Sequence, residues 1–375
     1  MSDKSVLVLG GYGNFGKRIV ESLAKIENLR VLIAGRNPEK ALQLVHHLQP
    51  GAAATLYAER IDIFAPEFTA SLKRLSPDIV IHTSGPFQKQ SYQVPRACIE
   101  AGVHYIDLSD DRDFVANISE LDASARQQQV SVISGASTVP GLSSVVIDHY
   151  RSRFSDIESI DIAIAPGNRA ERGEATVRAI LSYTGHPFPI FKQGGWMDAY
   201  GWMDSRTVDF GGVLGKRRLA NVDVPDLSLF PERYRVSNRV TFQAGLELTL
   251  LHQTMVAMAL LTKRGWVKNW SPLTVPIVYV SNFFRSLGSD DGGMRIDIRG
   301  KDTSGNSLNI LWQLYAENGV GPYIPTLSTI IATKKLLDGS LTEPGAIPCL
   351  GMFSLAEFVQ VAGEWGIYTE ECVND

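Results

Sequence analysis

The chain has 375 residues, 44% hydrophobic and 20% charged, enough apolar material for two packed domains and too much for a disordered protein. Its formal net charge of −4 and the lack of long Lys/Arg runs exclude a general nucleic-acid partner, because phosphate neutralisation requires clustered cations. Cys98, Cys349 and Cys372 are widely spaced with no CxxC pair, which argues against a disulfide framework and against a zinc site and fits a reducing cytoplasm.

The first apolar run, Val6-Leu7-Val8-Leu9, leads directly into Gly11-Tyr12-Gly13-Asn14-Phe15-Gly16 and then into a helical pattern through Ile19, Val20 and Leu23. Strand, glycine turn and helix in this order form the phosphate-binding corner of a dinucleotide fold. Gly11 permits the tight turn, Gly13 lets backbone approach a pyrophosphate, and Gly16 lets the helix pack on the strand with its positive end toward the anion. Because the first core strand starts so near Met1, there is no room for a secretory signal, and export is not expected.

The second strand, Arg30 to Ala34, ends at Gly35-Arg36-Asn37. Arg36 lies about 20 residues beyond Gly16, where an NAD-preferring chain presents Asp or Glu to the ribose 2′-hydroxyl. A guanidinium there pairs with a 2′-phosphate in two-pronged fashion, so NADP(H) is predicted over NAD(H). After the third strand, Asp62 is a candidate partner for the adenine amino group.

Strands and helices continue to alternate through Ile79-Val80-Ile81, His104-Tyr105-Ile106 and Val130-Ser131-Val132-Ile133. Such alternation predicts a parallel sheet with right-handed helical crossovers. Ser84-Gly85-Pro86-Phe87, at the end of the fourth strand, is a candidate nicotinamide contact: Gly85 allows close approach, Pro86 stiffens the loop and Phe87 offers an apolar surface. Asp107, at the end of the fifth strand where ligands collect in parallel sheets, is the leading candidate for proton transfer; the alternative is that it caps the following helix or fixes the loop. His104, at the start of that strand, reads as a packed core residue.

At the sixth strand, Ser137 in Gly135-Ala136-Ser137-Thr138-Val139-Pro140-Gly141 precedes a helix start that suits a substrate carboxylate, and without a GxSxG frame it is not a hydrolase nucleophile. Arg169, Arg172 and the helix start through Thr176 form a second candidate substrate corner, for an anion. No tyrosine is followed four positions later by lysine, which disfavours short-chain dehydrogenases, and no histidine has metal-ligand spacing, so no metal is predicted.

Beyond Gly141 two-residue alternation appears, with Met294, Ile296 and Ile298 opposite Leu308, Ile310, Trp312 and Leu314, joined by turn chemistry at 300–306. Lys192 to Asp226 reads as an irregular cap. Leu248 to Leu261 is too short to span a bilayer and reads as a buried helix; the alternatives are a wall for an apolar substrate or a surface that touches lipid.

Taken together, Gly11 to Gly16, Ala34-Gly35-Arg36-Asn37, Ser84-Gly85-Pro86-Phe87 and Ala101 to Leu108 resemble the saccharopine dehydrogenase-like family over roughly the first 145 residues. Gly173-Glu174-Ala175-Thr176, Gly321-Pro322-Tyr323-Ile324-Pro325 and Pro348-Cys349-Leu350-Gly351 look like a bacterial branch of that family with unassigned substrates. The resemblance implies an α/β Rossmann doubly wound parallel sheet with a second α+β domain containing a mixed or antiparallel sheet. It also implies hydride transfer at a carbon attached to nitrogen, although the second domain shows no clear copy of the residues expected for saccharopine itself.

The expected organisation is an NADP-binding domain over 1–140, a substrate or interface domain over 141–321, and C-terminal helices over 322–375 that pack back on the first domain. The expected function is an NADP-dependent oxidoreductase acting on a small anionic or apolar substrate in the cytoplasm. Two alternatives stand beside it: reduction of a C=C or C=O bond in a lipid-like substrate, and a non-catalytic NADP(H)-binding sensor or scaffold. Neither nucleic-acid nor membrane contact is expected, and an exposed edge of the second sheet suits a homodimer.

Overall fold

The computed structural model describes residues 4–374. Its first stretch alternates β1 (Lys4–Leu9), α1 (Asn14–Leu23), β2 (Leu29–Gly35), α2 (Pro38–Leu48), β3 (Thr55–Arg60), α3 (Phe68–Leu75), β4 (Ile79–His82), α4 (Gln93–Ala101) and β5 (His104–Asp107). Two short helices, α5 (Arg112–Ala116) and α6 (Asp122–Gln127), then lead to β6 (Ser131–Ser134). The middle of the chain runs α7 (Ser143–Arg151), β7 (Phe154–Ala165), α8 (Glu174–Tyr183), β8 (Pro187–Lys192), β9 (Gly195–Tyr200), β10 (Arg206–Asp209), β11 (Lys216–Asn221), α9 (Asp226–Arg233) and β12 (Arg239–Ala244). After α10 (Thr249–Lys263) and α11 (Thr274–Asn282) come β13 (Gly292–Asp302), β14 (Ser307–Ala316), α12 (Ile324–Leu337), β15 (Gly345–Pro348), α13 (Leu355–Gly363) and β16 (Tyr368–Asn374).

The chain divides into two compact units: Met1–Gly141 with Pro325–Phe353, and Leu142–Ile324 with Ser354–Asp375. In the first, seven strands lie in the order β15-β6-β5-β4-β1-β2-β3, and every pairing is parallel. Strand order reverses between β1 and β4, which is the topological switch point where such sheets receive ligands at their carboxyl ends. Val6, Leu7 and Val8 have no exposed surface, as expected for a strand covered on both faces.

The segment 322–375, expected as one block on the first domain, is split. Its α12 and β15 join the parallel sheet, where β15 adds an edge strand beside β6. From Ser354 onward the chain joins the second unit, because β16 pairs antiparallel with β14 from Tyr315↔Tyr368 to Asn309↔Asn374.

The second sheet runs β10-β11-β12-β7-β13-β14-β16, with β8 pairing β12 and β9. It is mixed: β7 is parallel to β12 and antiparallel to β13. In the β13–β14 hairpin Met294 faces Leu314, Ile296 faces Trp312 and Ile298 faces Ile310, the pairing that two-residue alternation implies. The Asp302 carboxylate closes the turn by accepting the Ser304 and Asn306 N–H groups, each at 2.8 Å.

Two expectations for this unit are corrected. Lys192 to Asp226 is not an irregular cap, since it contains β9, β10 and β11, whose Trp, Asp and Arg side chains mask the strand period in the sequence. The apolar stretch from Leu248 forms α10, but the helix is buried on one face only, through His252, Met255, Met258, Ala259 and Thr262, while Leu250 is exposed.

Candidate functional site

At the end of β1, Gly10 adopts φ +76° and both Gly10 and Gly11 donate their N–H groups to the Ala34 carbonyl, so the turn is stitched to β2. Gly13 is the N-cap of α1 with no side chain to occupy the helix start, which leaves the first N–H groups of α1 for an anion. A Cβ on Gly16 would collide with the Gly10 carbonyl and approach Gly11 Cα to 2.8 Å, so only glycine permits this helix-to-turn contact. Within this corner Asn14 accepts a hydrogen bond from Arg18 Nη1 at 2.6 Å through its side chain, and Phe15 occupies the first turn of α1.

Tyr12 lies over Gly35, and its hydroxyl accepts the Asn37 N–H at 2.9 Å. The Asn37 side chain in turn caps α2, accepting the N–H groups of Glu39 and Lys40. Between these fixed residues, Arg36 is exposed and makes no ion pair or hydrogen bond. The structure thus presents a free guanidinium at the end of β2, beside the glycine corner. Asp62 is exposed after β3, with its carboxylate accepting the Phe64 N–H at 3.1 Å.

At the end of β4, Thr83 Oγ1 bonds the Leu9 carbonyl at 2.9 Å, tying this loop to β1. Gln90 Nε2 holds the Ser84 and Pro86 carbonyls at 3.0 and 2.7 Å, which shapes the loop that also contains Gly85. Phe87, expected to offer an open apolar surface, is instead buried against His82 at 4.9 Å and Phe114 at 5.3 Å between ring centroids.

Asp107 is fully buried at the end of β5. Its Oδ1 accepts the N–H groups of Ser109 at 2.9 Å and Gly135 at 2.8 Å, fastening the loops after β5 and β6. Burial pushes its carboxyl up to about 6, opposed by these two backbone donors and by the nearby Ser134 and Tyr105 hydroxyls. Its Oδ2 has no hydrogen-bond partner, nor has Ser134 Oγ. No part of Asp107 reaches solvent, so this geometry supplies the loop-fixing role directly, while a proton from it must travel through a neighbour.

One such neighbour was not singled out in the sequence. His82 lies opposite Asp107 in the β4–β5 register, and its Nδ1 is 3.0 Å from the Tyr105 hydroxyl. Burial lowers its pKa to about 3, so the ring is neutral, and its Nε2 has no partner. Its position as the last residue of an apolar strand is the only sequence signal that marks it.

Ser137 is nearly buried in the turn after β6, which is pinned from α12: Ser328 Oγ donates to the Ser137 carbonyl at 2.8 Å and Thr329 Oγ1 to the Ala136 carbonyl at 2.6 Å. Both the turn and the residues that hold it belong to the first unit.

The second unit contains its own cavity, of about 400 Å³, walled by Ile180, Leu181, Trp202, Met255, Met258 and Ile277 among others. Arg172 stands in its lining, whereas Arg169 and Thr176 do not. Arg172 Nη2 donates to the Asn168 carbonyl at 3.0 Å, and Asn168 is itself fixed by Glu247 and by the Phe284 and Leu287 carbonyls. Arg169 is exposed and donates to the Ser286 carbonyl at 3.3 Å. Of the corner predicted to hold an anion, only Arg172 lines this chamber, where it is the one charged residue among mostly apolar neighbours.

Among the described residues no group of His, Cys, Asp and Glu side chains is placed to hold a metal. The three cysteines are free, with Cys98 and Cys349 buried and Cys372 exposed.

A seven-stranded parallel sheet with a glycine corner at the β1–α1 junction defines a dinucleotide-binding domain of the kind oxidoreductases use. Residues 6–133 match the family model described as the saccharopine dehydrogenase NADP binding domain, so this stretch is an NADP-binding domain of that kind. Among solved structures, apo histidine-tagged saccharopine dehydrogenase (L-Glu forming) from Saccharomyces cerevisiae is similar in fold, with a TM-score of 0.68 over 99% of this chain and 100% of that one, at 14% identity. A protein described as lipid droplet localized, from Caenorhabditis elegans, is 24% identical over 140 residues, which is 36% of this chain and only 33% of that protein.

Proposed function

We propose that the chain transfers hydride between NADP(H) and a carbon attached to nitrogen in a small substrate. The observation that carries the cofactor half of this reading is the exposed, unpartnered Arg36 beside the glycine corner, where a 2′-phosphate would sit. Fold likeness to a saccharopine dehydrogenase over the whole chain supports the C–N half.

The residues fit the cofactor. Gly11, Tyr12, Gly13, Asn14, Phe15 and Gly16 form the pyrophosphate cradle, Arg36 and Asn37 receive the 2′-phosphate, Asp62 receives the adenine, and Ser84-Gly85-Pro86 with Phe87 behind it backs the nicotinamide. Bound NADPH supplies the hydride. Asp107 holds the loops that carry Ser109 and Gly135, and any proton it gives leaves through Tyr105 and His82, whose Nδ1 is 3.0 Å from the Tyr105 hydroxyl. Ser137 is the substrate candidate of the first unit, and Arg169, Arg172 and Thr176 are those of the second.

A second reading is favoured by the apolar cavity of the second unit: reduction of a C=C or C=O bond in an apolar substrate carrying an anionic group toward Arg172. One experiment separates them. The enzyme is given NADPH deuterated at C4 with a panel of imines formed from 2-oxo acids and amines, and in parallel with apolar enones and ketones. Deuterium in an amine product supports the first reading, deuterium in a saturated or hydroxylated apolar product supports the second, and binding without transfer to any member points to a sensor or scaffold.

A further inference from the structure

We propose that the α10–α11 region of the second unit docks on an anionic lipid surface, with the exposed aromatic residues Trp266, Tyr279 and Phe283 entering the interface among Lys263, Arg264, Lys268 and Arg285. This revises the sequence expectation of no membrane contact, and it stands apart from the hydride-transfer reading because it concerns other residues.

The starting observation is a helix that does not bury its apolar side chains. The nine residues of α11, Thr-Val-Pro-Ile-Val-Tyr-Val-Ser-Asn, hold only one buried residue, Thr274. Val275, Tyr279 and Phe283 follow one another at four-residue spacing, so they form one stripe, and each is more than half exposed. Trp266, in the connection from α10, is 74% exposed. A folded chain does not ordinarily leave a stripe such as Val275, Tyr279 and Phe283 in water unless that surface has a partner.

Charge identifies the partner. Between Glu247 and Asp290 the chain has no Asp or Glu, yet it has Lys263, Arg264, Lys268 and Arg285, in a protein whose formal net charge is −4. All four are exposed, and Arg264 and Lys268 make no ion pair. The neighbouring segment 169–183 adds a net positive charge, with Arg169, Arg172 and Arg178 against Glu171 and Glu174. Exposed aromatic and aliphatic side chains in a stretch whose only charged residues are cations are the pattern of a segment that lies in the headgroup region of an anionic bilayer. A second copy of the chain fits less well, since a two-fold contact through this patch would set its cations against the same cations.

Two more observations agree. No helix of the described residues is long and apolar enough to cross a membrane, so the contact is interfacial. Leu273 and Val280 line the second-unit cavity and are also about half exposed, so the patch is continuous with the mouth of the cavity. An apolar molecule can then pass from the lipid phase into the chamber without crossing water.

The test is co-sedimentation of the full chain with vesicles of phosphatidylcholine alone and of phosphatidylcholine with phosphatidylglycerol. The expected result is pelleting with the anionic vesicles only, falling as salt is raised. Trp266→Ser/Tyr279→Ser/Phe283→Ser should remain in the supernatant, and Arg264→Gln and Lys268→Gln should each weaken partitioning about fivefold. Unchanged thermal melts and circular dichroism spectra show that the variants are folded. Wild-type protein that stays soluble with anionic vesicles overturns the proposal, as does equal pelleting of the triple variant. A wild-type dimer that the triple variant converts to monomer, with no vesicle binding, assigns the patch to a second copy and equally overturns it.

Discussion

The Tyr12 hydroxyl accepts the backbone N–H of Asn37 at 2.9 Å, and this bond ties the glycine corner after β1 to the end of β2. Arg36 is the residue between the fixed Gly35 and the fixed Asn37, so its guanidinium starts from an anchored backbone. Tyr12→Phe removes the acceptor and should cost about 1 kcal/mol of stability. It should also weaken NADPH more than NADH, because only the 2′-phosphate senses where Arg36 starts. Thermal melts and paired affinity measurements check both parts.

Gly16 faces the Gly10 carbonyl and Gly11 Cα so closely that any Cβ must push the turn apart. Gly16→Ala should therefore destabilise the first unit by about 1–3 kcal/mol and abolish measurable nucleotide binding. An alanine variant with unchanged melting and affinity would show that the turn opens freely.

Asp107 gives a pH signature. Its carboxyl is raised from 3.8 to about 6 in the folded chain, so between these values the folded state holds more proton than the unfolded state. Stability from this group is then fully present below about pH 4 and is lost as pH rises toward 6, on the order of 3 kcal/mol in all. Asp107→Asn keeps an acceptor for the Ser109 and Gly135 N–H groups without the charge. The variant should lose that downward trend between pH 4 and 6, which denaturant melts across the range will show; parallel profiles for both proteins would mean that Asp107 titrates normally. In kinetics, a positioning role predicts that the Asn variant retains most of kcat, whereas a proton-carrying role predicts a large fall in kcat with little change in KM.

The legible parts of this chain are those where one local pattern permits one structure. Glycine spacing after Val6-Leu7-Val8-Leu9 specifies the β1–α1 corner, and the period of Met294, Ile296 and Ile298 specifies the β13–β14 pairing, because both are local in sequence. Long-range placement was not legible. β15 joins β6 from more than two hundred residues away in the chain, and β16 returns to β14 through Cys372, Glu370 and Tyr368, whose alternation is too polar to announce a strand. His82 was missed because nothing in its neighbours distinguishes a histidine that faces Tyr105 from one packed in a core. The exposure of α11 was hidden for the opposite reason, since an apolar helix reads as buried until the surrounding surface is known.

The second-unit cavity predicts a ligand preference. Arg172 is its cationic edge and Ile180 part of its wall. A fluorescent fatty acid should bind, and Ile180→Trp should displace it by filling the chamber. Arg172→Gln should weaken the acid about tenfold and leave an uncharged alcohol of the same length nearly unaffected. Equal losses for acid and alcohol would remove Arg172 from the site.

Calorimetric titration of NADPH and NADH into the wild-type chain and Arg36→Ala tests the central claim most directly. Selective binding of NADPH by the wild type, with the selectivity lost in the variant, is the predicted result. Equal affinity for both nucleotides, or NADPH selectivity that survives the loss of Arg36, would contradict the assignment of Arg36 to the 2′-phosphate.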